Sequence, residues 1–240
     1  MTPGGPRRQI ARATVASAFL AAIAALNVVR LWALSTEASI LRAVRDGRPF
    51  SISEARASDE RLGAFAGWYL VLLAGTAIAW CVWQHRAHAN LRALGRSGLA
   101  FTPGWAVGWW FVPIASLWKP FQAVRELWKA SDPMTHAQGW DSVPTWPSIG
   151  WWWTCWVGSG LVNAAAAAGR GSDIDATITG DTLAMAAIAL QVVAAVLAIA
   201  IVRQVVARQT ALEQAGAGSP PPPRTPPLPP MPLPEPPPLD

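Results

Sequence analysis

The chain is short of charge, has two Lys, two Cys and one Tyr, and has no acid or Lys in the middle of any apolar block. Only 14% of its 240 residues are Asp, Glu, Lys or Arg, against about one-quarter in soluble proteins. That deficit argues against a water-facing globular fold, and the apolar residues gather in long blocks rather than alternating, which points to lipid. Cys81 and Cys155 lie inside such blocks without a neighbouring partner, which excludes a disulfide framework or a Cys-based zinc motif. Proton-coupled transport generally needs an ionisable group at mid-membrane, and none is placed for it. No paired carboxylates and no nucleophile–base pair occur, so the chain is not expected to be an enzyme. The net charge of +5 comes from seventeen Arg and two Lys, an excess that high-GC codon usage explains. No basic patch interleaves with exposed aromatics, so nucleic acid is not an expected partner.

What the chain has in abundance is tryptophan, fifteen residues in all. Five of them, both Lys and two internal Pro fall within 103–131, PGWAVGWWFVPIASLWKPFQAVRELWKAS. Thr102 and Pro103 read as an N-cap and a Pro at the first helical position. Residues 103–118 would rise about 24 Å as helix, short of the roughly 30 Å of hydrocarbon. Pro113 removes a backbone donor and clashes one turn back, so a break is expected there. A re-entrant hairpin and a short tilted span both fit, and either needs protein packed around it. From Pro120 the helix restarts. Phe121, Val124, Leu127 and Trp128 share one face, with Gln122, Arg125, Glu126 and Lys129 on the other, the pattern of a helix lying in the interface plane.

Four longer apolar blocks surround this segment, at 13–34, 64–83, 148–168 and 181–202. The first follows a basic tail, as a signal peptide does, but it is long enough to span and has no clean small-x-small cleavage site at its end, so it is expected to remain as a span. Ser51 to Glu54 has capping-box spacing and starts a helix that runs into the second block. Trp68, Trp80 and Trp83 lie near the ends of that block, where indole rings favour the headgroup level. Trp151, Trp152 and Trp153 stand at the mouth of the third. Gly158, Gly160 and Ala164 there, and Ala194 and Ala198 in the fourth, are small-residue runs that let helices approach. The stretch 84–102 reads as a cytosolic loop, with Arg86, Arg92 and Arg96 and no acid. The expected fold class is all-α, a polytopic membrane helical bundle of four to five spans over 13–210. It carries a Pro-broken, Trp-rich segment and an interfacial amphipathic helix, between a basic tail at 1–12 and a Pro-rich disordered tail at 211–240. Arg224 opens a PxxP match, but a tail so rich in Pro produces one almost freely.

Four spans with the N-terminus inside leave twelve Lys and Arg in the cytosol and seven outside; a fifth span at 103–118 with the N-terminus outside leaves the same split. The positive-inside rule does not separate the two. The shortness of 103–118 favours four. Both place the chain in the cell membrane with its Pro-rich tail in the cytoplasm.

The signature that carries a resemblance is Trp83, Arg86, Asn90-Leu91 and Leu94-Gly95, followed by Phe101-x-Pro103-Gly104-Trp105 and Gly108-Trp109-Trp110-Phe111-x-Pro113-Ile114. It continues with Leu117-Trp118-Lys119-Pro120-Phe121-Gln122, Arg125-Glu126-Leu127-Trp128 and Ser131. In these residues the chain resembles a bacterial, largely actinobacterial, membrane family catalogued as domain of unknown function four-three-two-eight. The likeness is dense over 83–131 and extends in architecture over 13–208, leaving both tails outside. It implies an integral membrane protein, and no activity, ligand, cofactor or catalytic residue.

Three constellations are weighed as sites. Cys81, His85 and His88 share a helical face, but no fourth ligand or supporting carboxylate accompanies them, so no metal or cofactor is assigned. Asn27, Asn163 and Gln191 lie deep in the spans, where amides usually bond across helices. Trp105, Trp109 and Trp118, with Lys119, Arg125 and Lys129, suit interfacial anchoring or anionic headgroups. The expectation is a non-enzymatic scaffold or accessory protein, contacting membrane lipid or a cytosolic or membrane protein through 103–131. The alternative is a small transporter or channel component with a path near the Pro113 break.

Overall fold

Apolar runs free of Pro become long helices, and the Pro-broken segment does not. The structure, a computed structural model, describes residues 6–49, 51–135, 139–169 and 173–217. Among these residues there are six α-helices and no strand: α1 (Pro6–Arg45), α2 (Ile52–Ala93), α3 (Pro103–Gly108), α4 (Lys119–Ala130), α5 (Pro147–Gly169) and α6 (Ile174–Ala217). Three single 3-10 turns, at Trp109–Phe111, Ala115–Leu117 and Trp140–Ser142, complete it. The Pro-rich stretch from 218 onward, with Arg224, lies outside the described residues.

The long helices outrun their apolar blocks. α1, α2 and α6 have 40, 42 and 44 residues, or about 60 to 66 Å, twice the hydrocarbon thickness. The polar 35–63 region between the first two apolar blocks is therefore mostly helix, and so is the start of the 84–102 stretch. Helix ends fall where the backbone can turn. Gly47 (φ +65°) and Gly95 (φ +78°) take the left-handed conformation that other residues resist. Each closes its helix in the same way, with Arg48 N–H on Ala43 O at 2.9 Å and Arg96 N–H on Leu91 O at 3.0 Å. Ser51 stands directly before α2, as the capping-box spacing predicts.

In space the order is α2, α1, α6, α5, with α1 packed on α2 and α6, and α6 packed on α1 and α5. Small residues set the close approaches. A Cβ at Gly75 of α2 would overlap the Phe19 ring of α1, while Ala194 and Ala198 of α6 are buried as their spacing predicts. Gly158 faces Leu190, but nothing stands over Gly160, and Ala164 is exposed, so that run divides between two faces of α5.

Two amide clasps lock α1 against α6. Gln9 Nε2–H donates to Gln209 Oε1 at 2.5 Å, and Asn27 Nδ2–H donates to Gln191 Oε1 at 3.3 Å. The pairs are eighteen residues apart along each helix, which is about five turns and about 27 Å, so both lie on one seam. Arg30 joins the second clasp, donating to Asn27 Oδ1 at 3.0 Å and lying 4.2 Å over the Tyr69 ring, and Tyr69 itself donates to Gln191 at 3.4 Å. Asn163, grouped with these amides on sequence, is exposed on α5 and apart from them.

Among the described residues, three helices are long and apolar enough to cross a membrane, fewer than the four to five expected: those at Arg8–Arg45, Gly63–Ala93 and Ile174–Ala215. α5 has 23 residues and no charge, but Trp, Gly, Ser, Thr and Asn dilute its hydropathy. The segment weighed as a fifth crossing, 103–118, breaks into α3 and two 3-10 turns around an exposed Pro113, in line with the preference for four. Of the apolar window of α2, only 6% is buried within the chain. Trp68, Leu70, Val71 and Ile78 are each more than 60% exposed there, leaving a long apolar face uncovered by protein.

Candidate functional site

The signature residues gather at one end of the bundle, where α2 ends and α5 begins, and build a tryptophan-lined cap. Residues 101–131 leave this end and return to it. Thr102 Oγ1 accepts from Trp105 N–H at 3.2 Å, and Pro103 takes the first helical position of α3, as expected. At the other end of the segment, Trp153 Nε1–H donates to Leu117 O at 3.2 Å, so the chain is back beside α5 before α4 starts. Of the two sequence alternatives, this is the hairpin.

The anchor of the cap is Gln84, which is fully buried. Its Nε2–H donates to Ala106 O at 3.1 Å and its Oε1 accepts from Trp110 Nε1–H at 2.9 Å. Trp110 is the hub of the ring cluster, with centroids at 6.3 Å to Trp80, 6.4 Å to Trp152, 5.9 Å to Trp153 and 6.2 Å to Trp156. Trp80 and Trp83, expected outward at the headgroup level, are instead buried in this cluster with centroids 4.9 Å apart. The successive Trp151, Trp152 and Trp153 point three ways, since each residue turns about 100° on a helix: exposed, buried and half-buried.

α4 is docked on two sides rather than lying with one face in water. Val124, Leu127 and Trp128 enter the core as expected. Glu126, assigned to the polar face, also turns inward, where its carboxylate accepts from Ala100 N–H at 2.6 Å and Phe101 N–H at 3.2 Å. Burial raises the Glu126 carboxyl above its ordinary range, against the pull of those two N–H groups and of Arg92. Trp128 stacks on Trp146 at 5.1 Å and carries the Arg208 guanidinium 3.7 Å above its ring. Arg208 also pairs with Asp132 at 3.0 Å. Arg96 donates to Thr135 O at 2.9 Å and to Asp132 O, tying the end of α2 to the end of α4. Gln209 completes the anchorage, donating to Ala87 O and to Ser131 Oγ, both at 3.1 Å.

The remaining signature residues divide between inside and outside. Pro120 is buried, Asn90, Gln122 and Trp109 are half-buried, and Arg86, Gly104 and Trp118 are exposed. Lys119 places its Nζ 5.7 Å from the Trp109 ring and 5.9 Å from that of Phe101, and the rings of Trp105 and Trp109 lie 4.9 Å apart. On the outer side the turn projects Phe111 and Ile114, 74% and 73% exposed, with Leu117 and Trp105 beside them. The arrangement is an apolar knuckle followed by α4, which carries Lys119 at its start and Arg125, 5.7 Å from the Phe121 ring, one to two turns on. Cys81, His85 and His88 do not converge. His85 is exposed, while buried His88 bonds the Gln84 carbonyl through Nδ1 at 3.0 Å.

Sequence reasoning missed Gln84, Gln9 and Gln209. The signal available was spacing: Gln9 to Asn27 and Gln191 to Gln209 both step eighteen residues, a whole number of helical turns. A family model described as Domain of unknown function (DUF4328) matches residues 46–207, more than half of the chain. No curated protein and no solved structure matches it.

Proposed function

The chain belongs to the family described as domain of unknown function (DUF4328), and from that premise we propose that it is a multi-pass membrane protein without an enzymatic reaction of its own, which uses the 103–131 cap to hold lipid or a partner at one membrane face. The observation that carries the membrane reading is the uncovered apolar length of α2, only 6% buried within the chain. Water would not tolerate a continuous apolar face of that size, and a bilayer covers it without further protein. In this reading α5 is the fourth crossing, since it packs along α6 and its 23 uncharged residues rise about 34 Å. Four crossings put both chain ends on the tryptophan side, and the excess of Lys and Arg there makes that side cytosolic.

The cap then lies at the cytosolic interface. Phe111, Ile114 and Leu117 dip toward acyl chains, while Lys119 and Arg125 stay at headgroup depth. A transport path is less well supported, because Pro113 stands outside the bundle whereas Gln191 lies inside it at Asn27. The test is reconstitution of the full chain in vesicles with an environment-sensitive dye on Phe111→Cys or Arg125→Cys, after Cys81 and Cys155 are changed to Ser. Blue-shifted emission at 111, quenched by shallow nitroxide lipids, with water-like emission at 125, is the expected result. Water-like emission at both positions would remove the interfacial assignment, and solute flux through the vesicles would turn the assignment to transport.

A further inference from the structure

Along the α1–α6 seam, between the two amide clasps, the two helices leave a trough of about 480 Å³. Its α1 wall runs from Ile10 to Ala21 on a single helical stripe and is cut low by Ser17 and Ala18; Ile199 and Arg203 of α6 face it. Thr14, Ala18 and Ala21 are exposed, so the trough opens to the outside of the bundle and not into its core. From Ile10 to Ala21 the helix rises about 16 Å, close to half the roughly 30 Å of hydrocarbon. The trough is therefore as long as one leaflet is deep.

Its polarity is one-sided. No acid lines it, and Arg203 is its one charged wall residue. The register of the clasps fixes the depth of that cation. Arg203 is six residues from Gln209, level with Val15, six residues from Gln9. A guanidinium on a long stem at that depth can reach up toward headgroup level.

From this geometry we infer that the α1–α6 trough binds one phospholipid with an anionic headgroup. One acyl chain lies along the small-residue floor, and the phosphate meets Arg203 at the mouth. The inference rests on the membrane reading above and adds a defined lipid site on a surface separate from the cap. Chain length and depth match the trough, and the charge at its mouth complements the phosphate, where a zwitterionic headgroup would gain little.

The experiment is native mass spectrometry of the detergent-purified full chain, titrated with phosphatidylglycerol or phosphatidylcholine of identical acyl chains. Phosphatidylglycerol is expected to be retained about fivefold better, the ratio that one cation near a lipid surface supplies. Arg203→Gln should bring the two lipids to parity and Arg203→Lys should keep the preference. Ala18→Phe should lower retention of both lipids, with circular dichroism verifying unchanged helix content. Equal retention of the two lipids, or a preference untouched by Arg203→Gln, would overturn the proposal. Alkaline extraction of the chain from cell membranes separates the two failures. A chain that extracts as soluble protein sinks the membrane reading, whereas one that stays in the membrane without lipid preference sinks only the trough.

Discussion

Replacing Gln84 by Leu should free the cap from the bundle while leaving the bundle whole. The amide is fully buried and makes two hydrogen bonds, at 2.9 Å from Trp110 Nε1–H and at 3.1 Å to Ala106 O. Leu fills similar space and makes neither. Losing a bond whose partner returns to water costs about 1 kcal/mol net, whereas losing one whose buried partner stays unpaired costs about 1–3 kcal/mol in all. Ala106 is fully buried and suffers that cost, whereas half-buried Trp110 regains solvent. The expected loss is about 2–4 kcal/mol, or about 30- to 700-fold in the opening equilibrium of the cap. Gln84 belongs to α2 and both partners belong to 101–118, so the loss falls on docking and not on helix formation. Hydrogen exchange resolved by peptide reads it directly: amides of 101–118 should exchange faster by that factor, while those of the α6 core keep their protection. Unchanged exchange across 101–118 would show that Gln84 does not hold the cap. Equal acceleration in α6 would show that cap and bundle unfold as one unit, contrary to the local argument.

Substitutions at two other positions test the docking of α4. Arg208→Gln removes the ring contact to Trp128 and the Asp132 pair, and should cost about 2 kcal/mol in chemical denaturation. Arg208→Lys should recover less than half of that, because an ammonium cannot stack as a planar fork does; full recovery would show that charge alone matters. For Glu126 the sign follows from its raised carboxyl. The folded chain holds that proton more tightly than the unfolded chain, so its contribution is full below the ordinary carboxylate range and is lost as pH rises through the raised value. Relative to Glu126→Gln, the natural chain should therefore lose stability as pH rises above the ordinary carboxylate range; parallel stability curves would contradict the burial of this carboxyl.

What local pattern could reveal was legible. The block at 64–83, the cap at Thr102, the break at Pro113 and the restart at Pro120 all follow from single-residue stereochemistry or from helical periodicity, and the structure places each accordingly. What depends on a distant partner was not legible. Glu126 looks like a water-facing residue until Ala100 and Phe101 bring their N–H groups to it from 26 and 25 residues away. Trp80 and Trp83 look like interfacial anchors until 103–118 folds back over them. Helix length was underestimated because hydropathy measures where a helix is apolar, whereas its ends are set by residues such as Gly47 and Gly95 that permit the turn. Periodicity identifies a face; it does not identify what the face meets.

Whether 103–131 turns back or crosses decides the account, and cysteine accessibility in sealed vesicles of known orientation measures it. On a Cys81→Ser, Cys155→Ser background, single cysteines replace Gly104, before the cap, and Arg125, after it, with Arg86 and Arg56 replaced in turn as references at the two ends of α2; all four positions are exposed. The account predicts that positions 104 and 125 react with an impermeant thiol reagent from the same side as 86 and from the side opposite to 56. Reaction of 104 and 125 from opposite sides would make the segment a crossing and contradict the hairpin.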